Sequence, residues 1–156
     1  MKKRIFIFML ALFFLAACGY EVGNVRLIAD GVEHEPYIYT LHAMFRIDGG
    51  MVSASGAYFF ATDRWLETYT NDMQEVPYAD NLQIVIDGRH GEVNTGQRSP
   101  FPAHHDGMQI IAVRSAGEIN ALLPDAAGTY LVYVDVIWSG RGQEFTALRY
   151  VFKIIR

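Results

Sequence analysis

Cysteine is almost absent from the chain, with one copy, Cys18, in 156 residues. A single cysteine excludes an internal disulfide, so the burial of apolar side chains must hold the fold. A free thiol in an oxidising compartment is open to oxidation and cross-linking. A lone cysteine so close to the amino terminus therefore needs a chemical explanation.

Hydrophobic runs long enough to cross a membrane are also lacking. The apolar stretch that starts at Ile5 has 11 residues up to Leu15 and 14 residues up to Cys18. Crossing a bilayer core of ~30 Å as a helix takes about 20 residues. The stretch follows a basic start, residues 2–4, and ends in small residues, which is the layout of a secretory signal.

The last four residues of this stretch, Leu15-Ala16-Ala17-Cys18, resemble the lipobox of bacterial lipoproteins. The resemblance implies that residues 1–17 are cleaved as a signal peptide, that the Cys18 sulfur is joined to diacylglycerol, and that the new amino terminus can carry palmitate. Two or more acyl chains form a stable lipid anchor. The implied location is the outer face of the bacterial cell membrane, or the outer membrane where one exists. The alternatives are ordinary secretion with cleavage near Gly19, and a buried cysteine with no special role.

Basic residues are scarce once this leader is set aside. Three of the 13 lysines and arginines lie within residues 1–17, so the other 139 residues hold 10 against 17 acidic residues, a formal charge of −7. This balance argues against nucleic acid as a partner and against an electrostatic grip on anionic headgroups. A length of 139 residues suffices for one domain with its own core. We therefore expect a lipidated tether at 18–24 and a single domain at 25–156.

Apolar residues after the leader recur with period two, and glycine interrupts them about every ten residues, which predicts short antiparallel strands. The predicted strands are 25–29, 36–47, 82–86, 108–113, 129–138 and a final strand that contains 148–154. Four Asp-Gly pairs predict tight turns at residues 30–31, 48–49, 87–88 and 106–107. One short helix is predicted near 62–71, with Thr62 as its cap.

The last two strands form the clearest predicted hairpin. Alternation turns one apolar face of each strand toward the core. These core positions are Tyr130, Val132, Val134, Val136, Trp138, Leu148, Tyr150, Phe152 and Ile154. The opposite face carries Asp135, Arg149 and Lys153, and we expect it to meet solvent.

Three segments carry a second resemblance, which concerns the fold. They are LLPDAAGTYLVYVDVIWSGRG at 122–142, YVFKIIR at 150–156, and VPYADNLQIVIDG at 76–88. The first two resemble the closing hairpin of immunoglobulin-like domains in small bacterial surface lipoproteins, and the third resembles a middle strand of such domains. The resemblance implies an immunoglobulin-like antiparallel β-sandwich. The chain lacks the cysteine–tryptophan–cysteine pattern of antibody domains, which leaves the strand order open.

Three potential metal ligands stand in a row at His104, His105 and Asp106. Zinc takes three or four ligands that converge on one point. Neighbouring residues of an extended chain point to opposite sides, so at most two of the three can share an ion, and His90 would have to approach from another turn. We favour a solvated polar loop, and expect no cofactor. A small envelope metal-binding protein or hydrolase that uses this loop is the alternative function.

Signatures of catalysis are scarce. The sequence has no Gly-x-Ser-x-Gly elbow and no Ser-x-x-Lys pair. Asp63 and Glu67 would be neighbours on a helix and could serve a glycosidase, but such a pair is also common on solvated helix surfaces. We therefore expect a protein that is not an enzyme.

Aromatic residues gather between positions 37 and 78, and a candidate ligand patch consists of Tyr37, Tyr39, Tyr58 and Phe60. Exposed rings stack on sugars or anchor protein partners. The alternative, which we favour, is that a sandwich without disulfides uses large rings to fill its core. The expected function is that of a lipid-anchored, non-catalytic binding or structural module, whose partners are the membrane and an envelope protein or glycan.

Overall fold

Strands dominate the computed structural model, which describes residues 22–47, 50–55, 66, 68–95, 103–140 and 142–156. The strands are β1 Asn24–Ala29, β2 Val32–His34, β3 Tyr37–Ile47, β4 Gly50–Ser55, β5 Glu75–Pro77, β6 Gln83–Asp87, β7 Gly91–Val93, β8 His104–His105, β9 Met108–Val113, β10 Gly117–Glu118, β11 Thr129–Ser139 and β12 Phe145–Ile155. The predicted all-β class is confirmed.

Helical geometry is confined, within these ranges, to short segments. Leu66, Thr68 and Tyr69 are helical and lead into a 3₁₀ turn at Thr70–Asp72. A second 3₁₀ turn spans Asn120–Leu122. The other positions of the helix predicted near 62–71 lie outside the described residues.

The strands form two sheets in a sandwich-like arrangement, as predicted. In the described part of the chain the smaller sheet has the order β10-β6-β1-β2, and the larger has the order β4-β3-β12-β11-β9-β8. The carboxyl end of β12 also pairs with β5, and the carboxyl end of β11 also pairs with β7. The two longest ladders, β11–β12 and β12–β3, therefore form the centre of the larger sheet.

Two of the pairings are parallel, which the period-two pattern did not predict. β9 runs parallel to β11, and β5 runs parallel to β12. Parallel neighbours need a crossover connection. Between β9 and β11 the chain crosses to the smaller sheet, where β10 pairs with β6, before it returns in the same direction. The sheets are thus mainly, rather than wholly, antiparallel.

Tight hairpins form at two of the predicted Asp-Gly turns. Asp30 and Gly31 have φ angles of 49° and 80°, and Asp106 and Gly107 have φ angles of 46° and 76°. Two successive left-handed residues make the type I′ turn that joins twisted antiparallel strands, and glycine adopts the second position without strain. The turn predicted at 48–49 lies outside the described residues, between Ile47 and Gly50, which pair directly.

The predicted core face of the last hairpin is confirmed. Its apolar residues pack against inward-facing residues of the smaller sheet, among them Val25, Leu27 and Ile84. β11 and β12 pair along their full length, from Thr129 opposite Ile155 to Ser139 opposite Phe145. The alternation read from the sequence therefore gives the correct inward face for both strands.

Trp138 closes one end of this core and is fully buried. Its indole N–H donates a hydrogen bond of 2.8 Å to the Tyr150 hydroxyl. Gly23, Gly88 and Gly91 lie so close to the ring that a Cβ at any of them would come within 3.0 Å of an indole carbon. Glycine is needed at these positions because the backbone itself packs against the ring.

The loop before β11 has a feature of immunoglobulin-like sandwiches. The Tyr130 hydroxyl donates a hydrogen bond of 2.6 Å to the carbonyl of Ala126, four residues earlier in the chain. A tyrosine that bonds back to the upstream backbone in this way resembles the tyrosine corner of those domains. The bond fixes the entry of the chain into the central hairpin.

The opposite face of the hairpin is buried too, which corrects the expectation that it meets solvent. A second apolar cluster covers it, formed by Tyr39, Leu41, Leu66, Met73, Met108, Leu131, Tyr133, Ala147 and Val151. Lys153 is largely buried as well, and its ammonium group contacts the Glu75 carboxylate at 2.7 Å. The prediction failed because Leu66 and Met73 pack on this face, and because β5, paired beside β12, places Glu75 opposite Lys153.

Asp135 and Arg149 form a buried ion pair within this second cluster. They lie opposite each other in the β11–β12 ladder, and their side chains are 6% and 1% exposed. The guanidinium group donates two hydrogen bonds to the carboxylate, of 2.7 and 2.8 Å. It also lies over the Tyr133 ring, 4.3 Å from the centroid. Bidentate geometry of this kind offsets much of the desolvation that burial costs.

We expect Trp138→Ala to lower the free energy of unfolding by about 3 to 5 kcal/mol, because it removes a fully buried ring and leaves a cavity. Urea unfolding monitored by circular dichroism measures the change. Trp138→Phe is the matched control and should cost less, since it keeps most of the apolar contact. A loss below about 1 kcal/mol for the alanine variant would mean that the inward face of β11 is misassigned.

Removal of either member of the buried ion pair should cost about 3 to 5 kcal/mol, because the remaining charge stays buried without its partner. Asp135→Leu and Arg149→Met provide the single variants, and the double variant carries both substitutions. The double replacement should lose less than the two single losses combined.

The exposed pair between Asp125 and Arg156 supplies the control for this cycle. Asp125→Ala should change stability by about 0.5 kcal/mol or less, because solvent screens an exposed pair. Strict additivity of the two core substitutions would contradict the assigned coupling.

Burial raises the pKa of Tyr150 to about 12, although its hydrogen bond from Trp138 acts in the opposite direction. The unfolded chain titrates this phenol near pH ~10. The resulting stabilisation is complete below that pH and is lost as the pH rises through about 12. Between these values the stability of wild type should fall more steeply than that of Tyr150→Phe, as measured by urea unfolding. Parallel curves of stability against pH for the two proteins would show that ionisation of Tyr150 does not contribute to the loss of stability.

Candidate functional site

The predicted lipidation residue, Cys18, lies outside the described residues, and the described chain starts four positions later at Val22. Val22 precedes β1 at one end of the sandwich. Asn24 pairs with Asp87 there, and Gly91 pairs with Trp138. We call this the tether end, formed by Val22–Asn24, Asp87–Gly91 and the strand ends at Ser139 and Phe145.

An open cleft of about 640 Å³ lies at the tether end, lined by Val22, Gly23, Asn24, Asp87, Gly88 and Arg89. Its volume is in the range of small-molecule sites, but such sites are usually lined by apolar and aromatic side chains. Here backbone and exposed polar groups line the cleft, and Trp138 lies buried beneath it. The lining does not specify a ligand.

The acidic group of the cleft is already bound by a neighbouring strand. The Arg26 guanidinium contacts the Asp87 carboxylate, and it contacts Glu33 at 2.5 Å. The hydrogen bond to Glu33 is the main reason why the pKa of Arg26 is raised. Through these ion pairs the three side chains link β1, β2 and β6 on the outer face of the smaller sheet.

The candidate aromatic patch is only partly within the described residues, because Tyr58 and Phe60 fall outside them. Tyr39 is buried in the second cluster, opposite Arg149 in the ladder. Burial raises the pKa of Tyr39, against the effect of the nearby Arg149 charge. Tyr37 is half-buried and packs on Tyr69, with ring centroids 5.3 Å apart. Both described tyrosines thus contribute to packing, which agrees with the core-filling alternative.

His104 and His105 form the short strand β8, and Asp106 is the first residue of the turn into β9. His104 is exposed and lies opposite Gln109, while His105 is partly buried and lies opposite Met108. Asp106 thus has a structural reason to be there, since it adopts a left-handed turn conformation that few residues tolerate.

Metal ligands do not converge in the described ranges. No group of three histidine, cysteine, aspartate or glutamate side chains lies close enough there to hold an ion. Asp63 and Glu67, the carboxylates considered for a glycosidase, lie outside the described residues. The metal-binding or hydrolase alternative therefore gains no support from the geometry that can be described.

One feature of the tether end was missed by the sequence analysis. β4 pairs with β3 from Ser55 opposite His42 to Gly50 opposite Ile47, yet β3 pairs with β12 only as far as Met44. The hairpin therefore extends beyond the rest of the larger sheet. We call residues 45–47 and 50–52 the projecting tip. The alternation that marks longer strands is absent from β4, which explains why it was not predicted.

No helix in the described residues is long and apolar enough to span a membrane. Comparison of the chain with protein-family models, with curated proteins and with solved structures found no significant match.

Proposed function

We propose that the protein is a cell-envelope lipoprotein, anchored through acyl chains on Cys18, whose β-sandwich acts as a non-catalytic binding or structural module. The observation that carries the proposal is the composite signal at residues 2–18: a basic start, a short apolar run and a lipobox-like ending at the lone cysteine. Residues 1–17 are the cleaved signal peptide. The tether predicted at 18–24 shortens to 18–21, because Val22 and Gly23 pack against the core and Asn24 begins β1, so the domain starts at 22 rather than at 25.

The absence of a second cysteine supports this use of Cys18. The domain is stabilised by two apolar clusters and a buried ion pair, which need no disulfide. Thioether attachment to lipid consumes the only thiol, and so removes the oxidation hazard that a free cysteine meets outside the cell. Lipid attachment at Cys18 therefore uses no group that the fold needs for its stability.

The buried charges of the described core have a structural role, which is compatible with a non-catalytic module. Asp135 and Arg149, the most deeply buried charges, contact each other and are shielded from solvent, so a substrate cannot reach them. The most suggestive polar loop, His104–Asp106, is accounted for by a tight hairpin. A module of this kind would act through its surface.

Tethering supplies the physical mechanism. A lipid anchor confines the domain to a thin layer above the membrane, and this raises its effective concentration toward other envelope components. Contacts with an envelope protein or glycan that are weak in solution become significant in this layer. The proposed location is the outer face of the cell membrane, or the outer membrane where the cell has one.

Cys18→Ser should abolish incorporation of a fatty-acid analogue and leave the precursor uncleaved, because the hydroxyl does not replace the thiol as lipid acceptor. The domain should still fold, since Cys18 precedes it. Metabolic labelling of cells followed by mass spectrometry measures lipid attachment and cleavage together.

Gly19→Ser is the matched control, because it alters the neighbouring residue and leaves the thiol in place. It should be labelled like wild type. Equal labelling of wild type and Cys18→Ser would refute lipid attachment at this residue, and a wild-type product cleaved but unlabelled would establish ordinary secretion instead.

A further inference from the structure

The projecting tip lies at the same end of the sandwich as the start of the described chain. The last β12 residue that pairs with β3 is Phe145, opposite Met44. Phe145 also faces Ser139, next to Trp138, which contacts Gly23. β3 continues for three residues past Met44, which adds about 10 Å of strand at ~3.3 Å per residue.

The tip exposes apolar side chains on both faces. Met51 and Val52 are each 39% exposed. Adjacent residues of a strand point to opposite faces, so neither face of the tip is fully covered by the described protein at these positions. The paired strand places Phe45 opposite Val52, and Ile47 opposite Gly50. The sequence from residue 45 to residue 52 contains four large apolar residues, two glycines and two residues of opposite charge, Arg46 and Asp48.

Other exposed large hydrophobic residues in the described ranges are isolated. They are Val32, Ile38 and Leu122, which are 57%, 48% and 48% exposed. Val32 follows the β1–β2 turn at the end opposite the tether end, because β1 runs from Asn24 at the tether end to Ala29 beside Val32. Leu122 lies in the second 3₁₀ turn, which bonds through Asn120 to Leu82 at that same end, and Ile38 lies on β3, six residues before Met44 and so away from the tip. Only at the tip are two such residues adjacent.

Chain length places a lipidated Cys18 close to this end. Three residues lie between Cys18 and Val22, and the four steps that join their Cα atoms span at most about 14 Å when fully extended. The headgroup region of one leaflet is about 5 to 8 Å thick. The tether end must therefore lie near the membrane surface, where a projection of about 10 Å is long enough to enter the headgroups.

We propose that the projecting tip inserts Met51 and Val52 into the headgroup region of the bilayer that holds Cys18. This inference rests on the proposed lipid anchor. The contact is apolar rather than electrostatic, because residues 18–156 carry a formal charge of −7. Apolar side chains at the acyl boundary add attachment and fix the orientation of the body. The tip thus makes the domain stand on the membrane in one orientation.

The test uses the lipidated protein in phosphatidylcholine vesicles, with Met51→Cys or Val32→Cys labelled by a polarity-sensitive thiol dye. Lipid blocks the Cys18 sulfur, so the introduced cysteine is the free thiol. Brominated phosphatidylcholine serves as the membrane-bound quencher. We expect dye at position 51 to emit at shorter wavelength and to be quenched severalfold more than dye at position 32, with little change in high salt.

Equal quenching at the two positions would overturn the proposal. So would a position 51 that is protected from a water-soluble quencher yet unaffected by the brominated lipid, since protein rather than lipid would then cover the tip. Failure of the anchor is seen separately. In that case the parent protein takes up dye at Cys18 and does not remain with the vesicles.

Discussion

The bidentate pair between Asp135 and Arg149 is the constraint that defines the central hairpin. β11 and β12 bury both of their faces, and apolar residues occupy most positions of each. Apolar alternation alone therefore discriminates poorly between registers. A slip of one residue would set Asp135 opposite Leu148 or Tyr150 and separate two buried charges, which is costly. The pair thus selects one register, and β3, β5, β7 and β9 all dock on the two strands it aligns.

Trp138 fixes the packing of the two sheets at the tether end. The ring is fixed from within by the Tyr150 hydroxyl and from outside by the backbone at Gly23, Gly88 and Gly91. The first strand and the β6–β7 turn thereby close on the larger sheet without any disulfide. Under the proposed anchoring, a pull on the tether would be applied at Val22, next to Gly23, which is where this closure lies. A well-packed ring there resists local opening better than a polar contact would.

The sequence predicts local features of this molecule better than its long-range pairings. Period-two alternation identifies the inward face of β11 and β12, and Asp-Gly identifies two type I′ turns. The second core was missed although Leu131, Tyr133 and Val151 are apolar, because Arg149 and Lys153 suggest solvent unless their partners Asp135 and Glu75 are known. Parallel pairing of β9 with β11 depends on a crossover that no local pattern encodes. Tyr39 of the candidate patch is a core residue, and no pattern in the sequence distinguishes this buried tyrosine from an exposed one.

The two ends of the sandwich differ in a way that bears on where a partner would bind. Under the proposed anchoring of Cys18, the tether end faces the membrane, and the opposite end, with the β1–β2 turn and the Asn120–Leu122 turn, faces away from it. That distal end is well ordered by polar contacts: the Asn120 side chain bonds to the Leu82 N–H and the Ala79 carbonyl, and Asn81 accepts from the Asp30 N–H. Rigid loops lose little entropy on binding. Exposed Val32, at the start of β2, and exposed Leu122, in the Asn120–Leu122 turn, lie at this end, so under the proposed anchoring a partner there would meet apolar side chains that face away from the lipid.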